Sequence, residues 1–240
     1  MEKQREGECF YNKQGELAKI IKYNNAHSCD IQFEDGTILY DREYKDVKKG
    51  GFSNYNYKSI YGVGYLGGNI CKYPKYVYNR WRSLLERCYK NIKTIKNKSY
   101  DEVLVCEEWH NFQNFAHWFE NNYIEGFELD KDILVKGSKT YSPETCCFVP
   151  QEINKLFTKR KNDRGDYPIG VIKNRNKYIV QISKNNKRVR INGFKTPEEA
   201  FQTYKTEKEK YIKEVADKWR GQIMEDVYQA MCQYQVEITD

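Results

Sequence analysis

The sequence predicts an α+β chain in three modules. A small N-terminal β-barrel occupies 1–55. A central helical module ending in a strand–loop–strand–helix (ββα) unit occupies 56–160, and a C-terminal three-stranded sheet with a helix occupies 161–240. Three observations predict it. Short alternating apolar runs, broken by Asp35-Gly36 and later by Asn185-Asn186, mark hairpins at both ends of the chain. Apolar stripes at helical spacing fill 74–91 and 108–123. Finally, Thr196-Pro197-Glu198-Glu199 is a capping box with Pro at the first helical position, and it opens a further helix.

Composition narrows the function classes. The 240 residues suffice for one to three compact domains. No run of eighteen apolar residues occurs, which excludes a helical membrane span, and Met1 to Glu6 does not read as a signal peptide; the expectation is a cytosolic protein. The cysteines at 9, 29, 71, 88, 106, 146, 147 and 232 form no Cys-x-x-Cys pair. They read as small buried hydrophobes in a reducing compartment, the alternative being a zinc site assembled from distant positions. Charge is unevenly placed. Between Lys159 and Lys195 twelve basic residues face only Asp163 and Asp166, a net +10 that leaves the rest of the chain at −3 of the overall +7. So focused a basic segment implies a polyanionic partner, whereas a solvated charged face is its plainer reading.

In chain order, Ala18–Tyr23, Cys29–Phe33 and Thr37–Tyr40 read as strands, with turns at Asn24-Asn25 and Asp35-Gly36, which predicts an SH3-like barrel. Gly62-x-Gly64 lacks the third glycine of a nucleotide-binding loop and reads as a linker. Val77, Trp81, Leu84, Leu85 and Cys88 make one stripe of the first helix; Trp109, Phe112, Phe115, Ala116 and Phe119 make that of the second. His110 and His117 lie seven residues apart on the latter, a spacing that fits an ordinary polar face better than a metal-ligand pair. Val103–Cys106 is a short strand. Leu129–Leu134, a loop at Gly137-Ser138-Lys139, Cys146–Val149 and a helix from Pro150 form the ββα unit. Ile169–Ile172, Lys177–Ile182 and Lys187–Ile191 are three strands. Behind them Ala200, Phe201, Tyr204, Tyr211, Val215 and Trp219 run down one face of a helix that continues through Ile223, Val227 and Met231.

Two stretches resemble known families. Leu129-Asp130-Lys131, Tyr141-Ser142-Pro143-Glu144-Thr145-Cys146 and Asn154 resemble the motif of HNH (ββα-metal) proteins of the phage homing-endonuclease type. The likeness extends back through Trp81-Arg82-Ser83-Leu84, Arg87-Cys88-Tyr89 and Val103 to Trp109, and so covers roughly 74–157. Lys131 stands where that family carries its general-base His, and Thr145 where the loop Asn belongs. Gly170-Val171, Lys177-Tyr178-Ile179-Val180-Gln181-Ile182 and Gly193 through Ala200 resemble the AP2 DNA-binding pattern. That resemblance implies a sheet that enters the major groove of double-stranded DNA, with Arg175, Lys177, Gln181, Arg188 and Arg190 as contacts. Alternation agrees: Tyr178, Val180 and Ile182 fall on the helix side, Lys177, Ile179 and Gln181 on the other, where Ile179 is an apolar intruder or a contact for a thymine methyl.

The HNH resemblance implies that Asp130, Asp132 and Asn154 hold a Mg²⁺ ion against a phosphate while a base deprotonates water. Lys131 occupies the catalytic position, yet a lysine of ordinary pKa ~10.4 is protonated at neutral pH. Losing a general base typically costs about 10²–10⁴ in rate. The expected function is therefore a phage-type duplex-DNA-binding protein with lost or weak cleavage, acting as a regulator or as an antagonist that meets a host defence protein. The alternative is an active Mg²⁺-dependent site-specific endonuclease or nickase.

Overall fold

The computed structural model describes residues 5–68, 73–90, 103–158, 167–238 and 240. The chain is α+β, as its patterning predicts, and divides into two compact units, 1–119 and 120–240. Cys71 and the Lys159, Arg160, Lys161 and Arg164 portion of the basic segment lie outside the described residues.

In the first unit, β1 (Cys9–Tyr11), β2 (Leu17–Asn25), β3 (Ser28–Phe33) and β4 (Ile38–Arg42) form an antiparallel meander in sequence order. Asp35 and Gly36 make the β3–β4 turn, with Gly36 at φ +86° and the Asp35 carboxylate accepting from the Thr37 N–H. The inward residues Ala18, Ile20, Cys29, Ile31, Phe33 and Leu39 bury against Val47 of α1 (Tyr44–Lys48) and Phe52. The predicted barrel is not formed. Closure requires the two edge strands to share a ladder, but the three-residue β1 pairs only with β2, and among the described residues the sheet stays open.

Helix α2 (Lys75–Tyr89) buries the whole predicted stripe: Val77, Trp81, Leu84, Leu85 and Cys88. Beyond β5 (Leu104–Val105), the predicted second helix starts as a 3₁₀ turn, Glu107–His110, before α3 (Phe112–Asn122). The Trp81 indole N–H donates to the Trp109 carbonyl at 2.7 Å, so this aromatic core leaves no unmet Trp81 donor. His110 is part of the packing: its ring contacts the Tyr89 hydroxyl at 3.1 Å, and that hydroxyl also donates to the Val105 carbonyl. Burial and then the charge of Lys58 lower its pKa, which favours the neutral ring.

In the second unit, β6 (Glu128–Asp130), β7 (Thr140–Tyr141), β8 (Cys147–Val149) and α4 (Gln151–Phe157) realise the ββα order, with β6 and β8 antiparallel and Leu129 opposite Phe148. β6 ends at Asp130, four residues short of the predicted Leu134. The Asp130 carboxylate accepts from the N–H groups of Asp132 (2.7 Å) and Ile133 (3.0 Å), which turns the chain and drops Ile133 into the core. β9 (Val171–Asn174), β10 (Lys177–Lys184) and β11 (Lys187–Phe194) form the three-stranded sheet, with β10 central. The two-residue β10–β11 turn holds Asn185 at φ +52° and Asn186 at φ +58°, conformations that Asn tolerates. Tyr211 pins this turn, accepting from the Asn185 N–H at 2.8 Å and donating to its side-chain oxygen at 3.2 Å.

Helix α5 (Pro197–Trp219) is capped as predicted: Thr196 accepts from the Glu199 N–H, and the Glu199 carboxylate accepts from the Thr196 N–H. Its first half packs Ala200, Phe201 and Tyr204 on Val171, Val180 and Ile182 of the sheet. Its second half packs Tyr211, Ile212, Val215 and Ala216 on Ile133, Cys147, Val149, Ile153 and Phe157 of the ββα segment. The helix does not continue as predicted. The chain turns at Gly221 (φ +78°), and α6 (Glu225–Gln233) folds back to bury Val227 and Met231 in that same second core. Where the sequence reads as separate central and C-terminal modules, the ββα segment and the sheet thus share one unit and one helix.

Gly170 tests the sheet–helix fit. It sits at φ +74°, and a Cβ there would meet the Tyr204 ring at 2.1 Å. Gly193, at φ +109°, has open space beside it. We expect Gly170→Ala to lower urea stability by about 2 kcal/mol or more, and Gly193→Ala by only the roughly 1–2 kcal/mol of the left-handed backbone.

Candidate nucleic-acid interface

The outer face of the C-terminal sheet carries the predicted contact residues. Because Val180, Ile182 and Ile191 turn inward to α5, the intervening positions of β10 and β11 turn outward. Gln181 stands directly opposite Arg190, whose Nε and Nη2 both donate to the Gln181 side-chain oxygen at 3.3 Å. Ser183 stands opposite Arg188. Lys177 begins β10 opposite Asn174, and Arg175 sits between them at φ +55°, so the tip of the β9–β10 hairpin is a left-handed arginine. The structure therefore brings Gln181, Arg188 and Arg190 onto one face, with Arg175 and Lys177 at one end of the sheet. Among the described residues Arg175, Lys177 and Arg188 have no carboxylate partner, and all three are exposed. Ile179 departs from the expectation. A bulge between Tyr178 and Ile179 shifts the register, and Ile179 is only 7% exposed, which removes it as a methyl contact on a bare surface.

The second set of predicted residues belongs to the ββα segment. Lys131 is buried to 9% exposure; its ammonium donates to the Asp132 carboxylate at 2.8 Å and to the Ser138 carbonyl at 2.6 Å. Asp130 spends one oxygen on the two backbone N–H groups of its own turn. Burial raises its pKa, an effect that the N–H bonds and Lys131 oppose and the charge of Asp132 reinforces. Asn154, on α4, donates not to either aspartate but to Glu128, whose other oxygen accepts from Gln151. Each proposed Mg²⁺ ligand is thus engaged by a different protein group: Asp130 by backbone, Asp132 by Lys131, Asn154 by Glu128. Among the described residues no group of three or more His, Cys, Asp or Glu is placed to hold a metal. The residues present do not fit a preformed Mg²⁺ site.

Sequence reading missed Glu128, whose signal was its place two residues before Asp130 on the same strand face. The cysteine expectation holds in part: Cys29, Cys88, Cys146 and Cys147 are buried, but Cys9 is exposed. Burial, then the charges of Asp130 and Cys146, keeps the Cys147 thiol protonated. No protein-family model matches the chain, and neither curated proteins nor solved structures give a match.

Two outcomes follow. Asp130→Asn keeps the acceptor oxygen of the turn without a desolvated charge. A carboxylate whose folded pKa is raised contributes stability below its unfolded pKa and loses it as pH rises through the folded one. We expect the asparagine variant to gain on wild type between about pH 3.9 and neutrality in parallel urea titrations. Arg175→Gly should raise the melting temperature slightly, since relief of roughly 1–2 kcal/mol of left-handed strain exceeds the added unfolded-chain entropy of about 0.4–1 kcal/mol, and no hydrogen bond or ion pair among the described residues is lost.

Proposed function

We propose that the chain is a double-stranded-DNA-binding protein whose C-terminal sheet lies in the major groove, and that it derives from an HNH/AP2 homing endonuclease with lost or weak cleavage. One observation carries this reading: an exposed sheet face on which Arg188, Arg190 and Gln181 stand side by side, flanked by Arg175 and Lys177, which have no carboxylate partner among the described residues. Cations left unpaired on a rigid sheet are available to phosphate, and an Arg beside a Gln offers donors and an acceptor for base edges. The Arg190–Gln181 bond fixes the guanidinium before DNA arrives, which lowers the ordering cost of contact.

The state of Lys131 supports weak or absent cutting. Its side-chain nitrogen already donates to a carboxylate and a carbonyl, and so is engaged within the protein rather than set against a water. The ββα segment is then a scaffold that positions the sheet. In this reading the protein acts as a regulator, or as an antagonist that engages a host defence protein while on DNA.

The test uses mobility shifts on duplex DNA of the protein's own source, with supercoiled plasmid and Mg²⁺, Mn²⁺ or EDTA run alongside. Arg188→Ala with Arg190→Ala should weaken duplex binding by about 10-fold or more and flatten the salt dependence by roughly two charges. A charge-matched pair, Lys19→Ala with Lys22→Ala in the N-terminal meander, should do neither. Equal losses would overturn the interface, and metal-dependent nicks abolished by Asp130→Ala would overturn the loss of cleavage.

A further inference from the structure

On α5 the buried stripe runs Ala200, Phe201, Tyr204, then Tyr211, Ile212 and Val215. The helical position between them, four residues after Tyr204 and three before Tyr211, is Lys208. A lysine there breaks the apolar pattern at the point where α5 passes from the sheet core to the ββα core. Departures from local rules of this kind concentrate at functional positions.

Lys208 lines a cleft of about 700 Å³ bounded by α4, the end of β10 with its Asn185-Asn186 turn, and α5. The charged side chains that share the cleft are mostly neutralised. Glu152 is held by Lys218 at 2.6 Å and by the Trp219 indole, and Asp240 by Lys136 at 2.8 Å. Lys155 donates to the neutral Gln151 amide, and Lys208 has no hydrogen bond or ion pair among the described residues. Burial pushes the Lys208 pKa down to about 8, so it still carries its charge at neutral pH. Among the described residues the cleft therefore holds two positive charges without an acidic partner, one of them half-buried, and a partly desolvated ammonium favours an anionic partner. Its volume lies within the roughly 300–1,000 Å³ of small-molecule sites, and a bare oxyanion would leave most of it empty. Tyr204, Tyr211 and Ile169 supply an apolar wall, and the Asn185 side-chain nitrogen supplies an amide donor. A planar, hydrogen-bonding body attached to an anion meets all of these features.

We propose that this cleft binds a nucleoside monophosphate, free or as the terminal nucleotide of a nucleic-acid strand, with its phosphate against Lys208. The cleft borders the sheet at Gln181 and Ser183, but its argument rests on Lys208 and does not depend on the duplex-binding reading.

The experiment is isothermal titration of the full chain with dAMP, dCMP, dGMP, dTMP and inorganic phosphate. Single strands with and without a 5′-phosphate are titrated in parallel. At least one deoxynucleotide should bind at one site per chain and more tightly than phosphate. Lys208→Met should weaken that binding by about 10-fold or more, while Lys208→Arg and the exposed control Lys213→Met retain it. Lys208→Met should also melt at a higher temperature than wild type, which separates lost affinity from lost fold. Preference for the 5′-phosphorylated strand over free nucleotides assigns the strand terminus as the source, and the reverse order assigns the free nucleotide. No binding of any nucleotide probe, equal affinity for phosphate alone, or full binding by Lys208→Met would overturn the proposal.

Discussion

The second unit depends on one constraint: a single helix has to complete two hydrophobic cores. Neither partner of α5 closes a core alone. The sheet has one apolar face, and β6, β8 and α4 of the ββα segment offer only a handful of buried side chains. Twenty-three residues of α5, about 34 Å of helix, give each partner roughly half the stripe. The capping box at Thr196 fixes where that stripe begins, so it also sets the register of both cores. The Tyr211 bonds to the Asn185 turn and the ion pair from Lys184 to Glu207 then tie the sheet to the helix along its length.

Much of this was legible because it is local. The capping box, the Asp35-Gly36 and Asn185-Asn186 turns and the α2 stripe each rest on a few adjacent residues, and they stand where sequence puts them. What sequence reading missed depends on partners distant in the chain. Whether the N-terminal strands close depends on β1 reaching β4, and three residues of β1 cannot signal that. The break at Gly221 was written as a glycine, but the apolar spacing of Ile223, Val227 and Met231 continued through it and carried the helical reading too far. The candidate interface was largely readable, since alternation alone puts Arg188 and Arg190 on one face; the bulge beside Ile179 was not, because a bulge leaves no mark on composition. Lys208 was passed over in sequence although it interrupts its stripe, and its lack of an acidic partner among the described residues is a property of the fold.

In the ββα segment the polar side chains close on one another. Lys131 turns its ammonium inward to Asp132 and Ser138, within 5.8 Å of the Tyr141 ring. With Asp130 committed to the turn and Asn154 to Glu128, the polar groups of the motif satisfy one another. Groups so satisfied rigidify a fold, and that is the opposite of what a site needs if it is to open toward metal and water.

The division of α5 between two cores also has a consequence for synthesis. Residues 128–157 emerge from the ribosome well before the Tyr211–Met231 segment that completes their core. Until then Ile133, Val149 and Ile153 have no apolar partner from α5 or α6, whereas the β9–β11 hairpins and the start of α5 follow one another directly in the chain. The sheet can therefore assemble on the first half of α5 while the ββα segment is still waiting. The last part of the unit to mature is one of the earliest translated, and a nascent chain presents its basic sheet before its motif has closed.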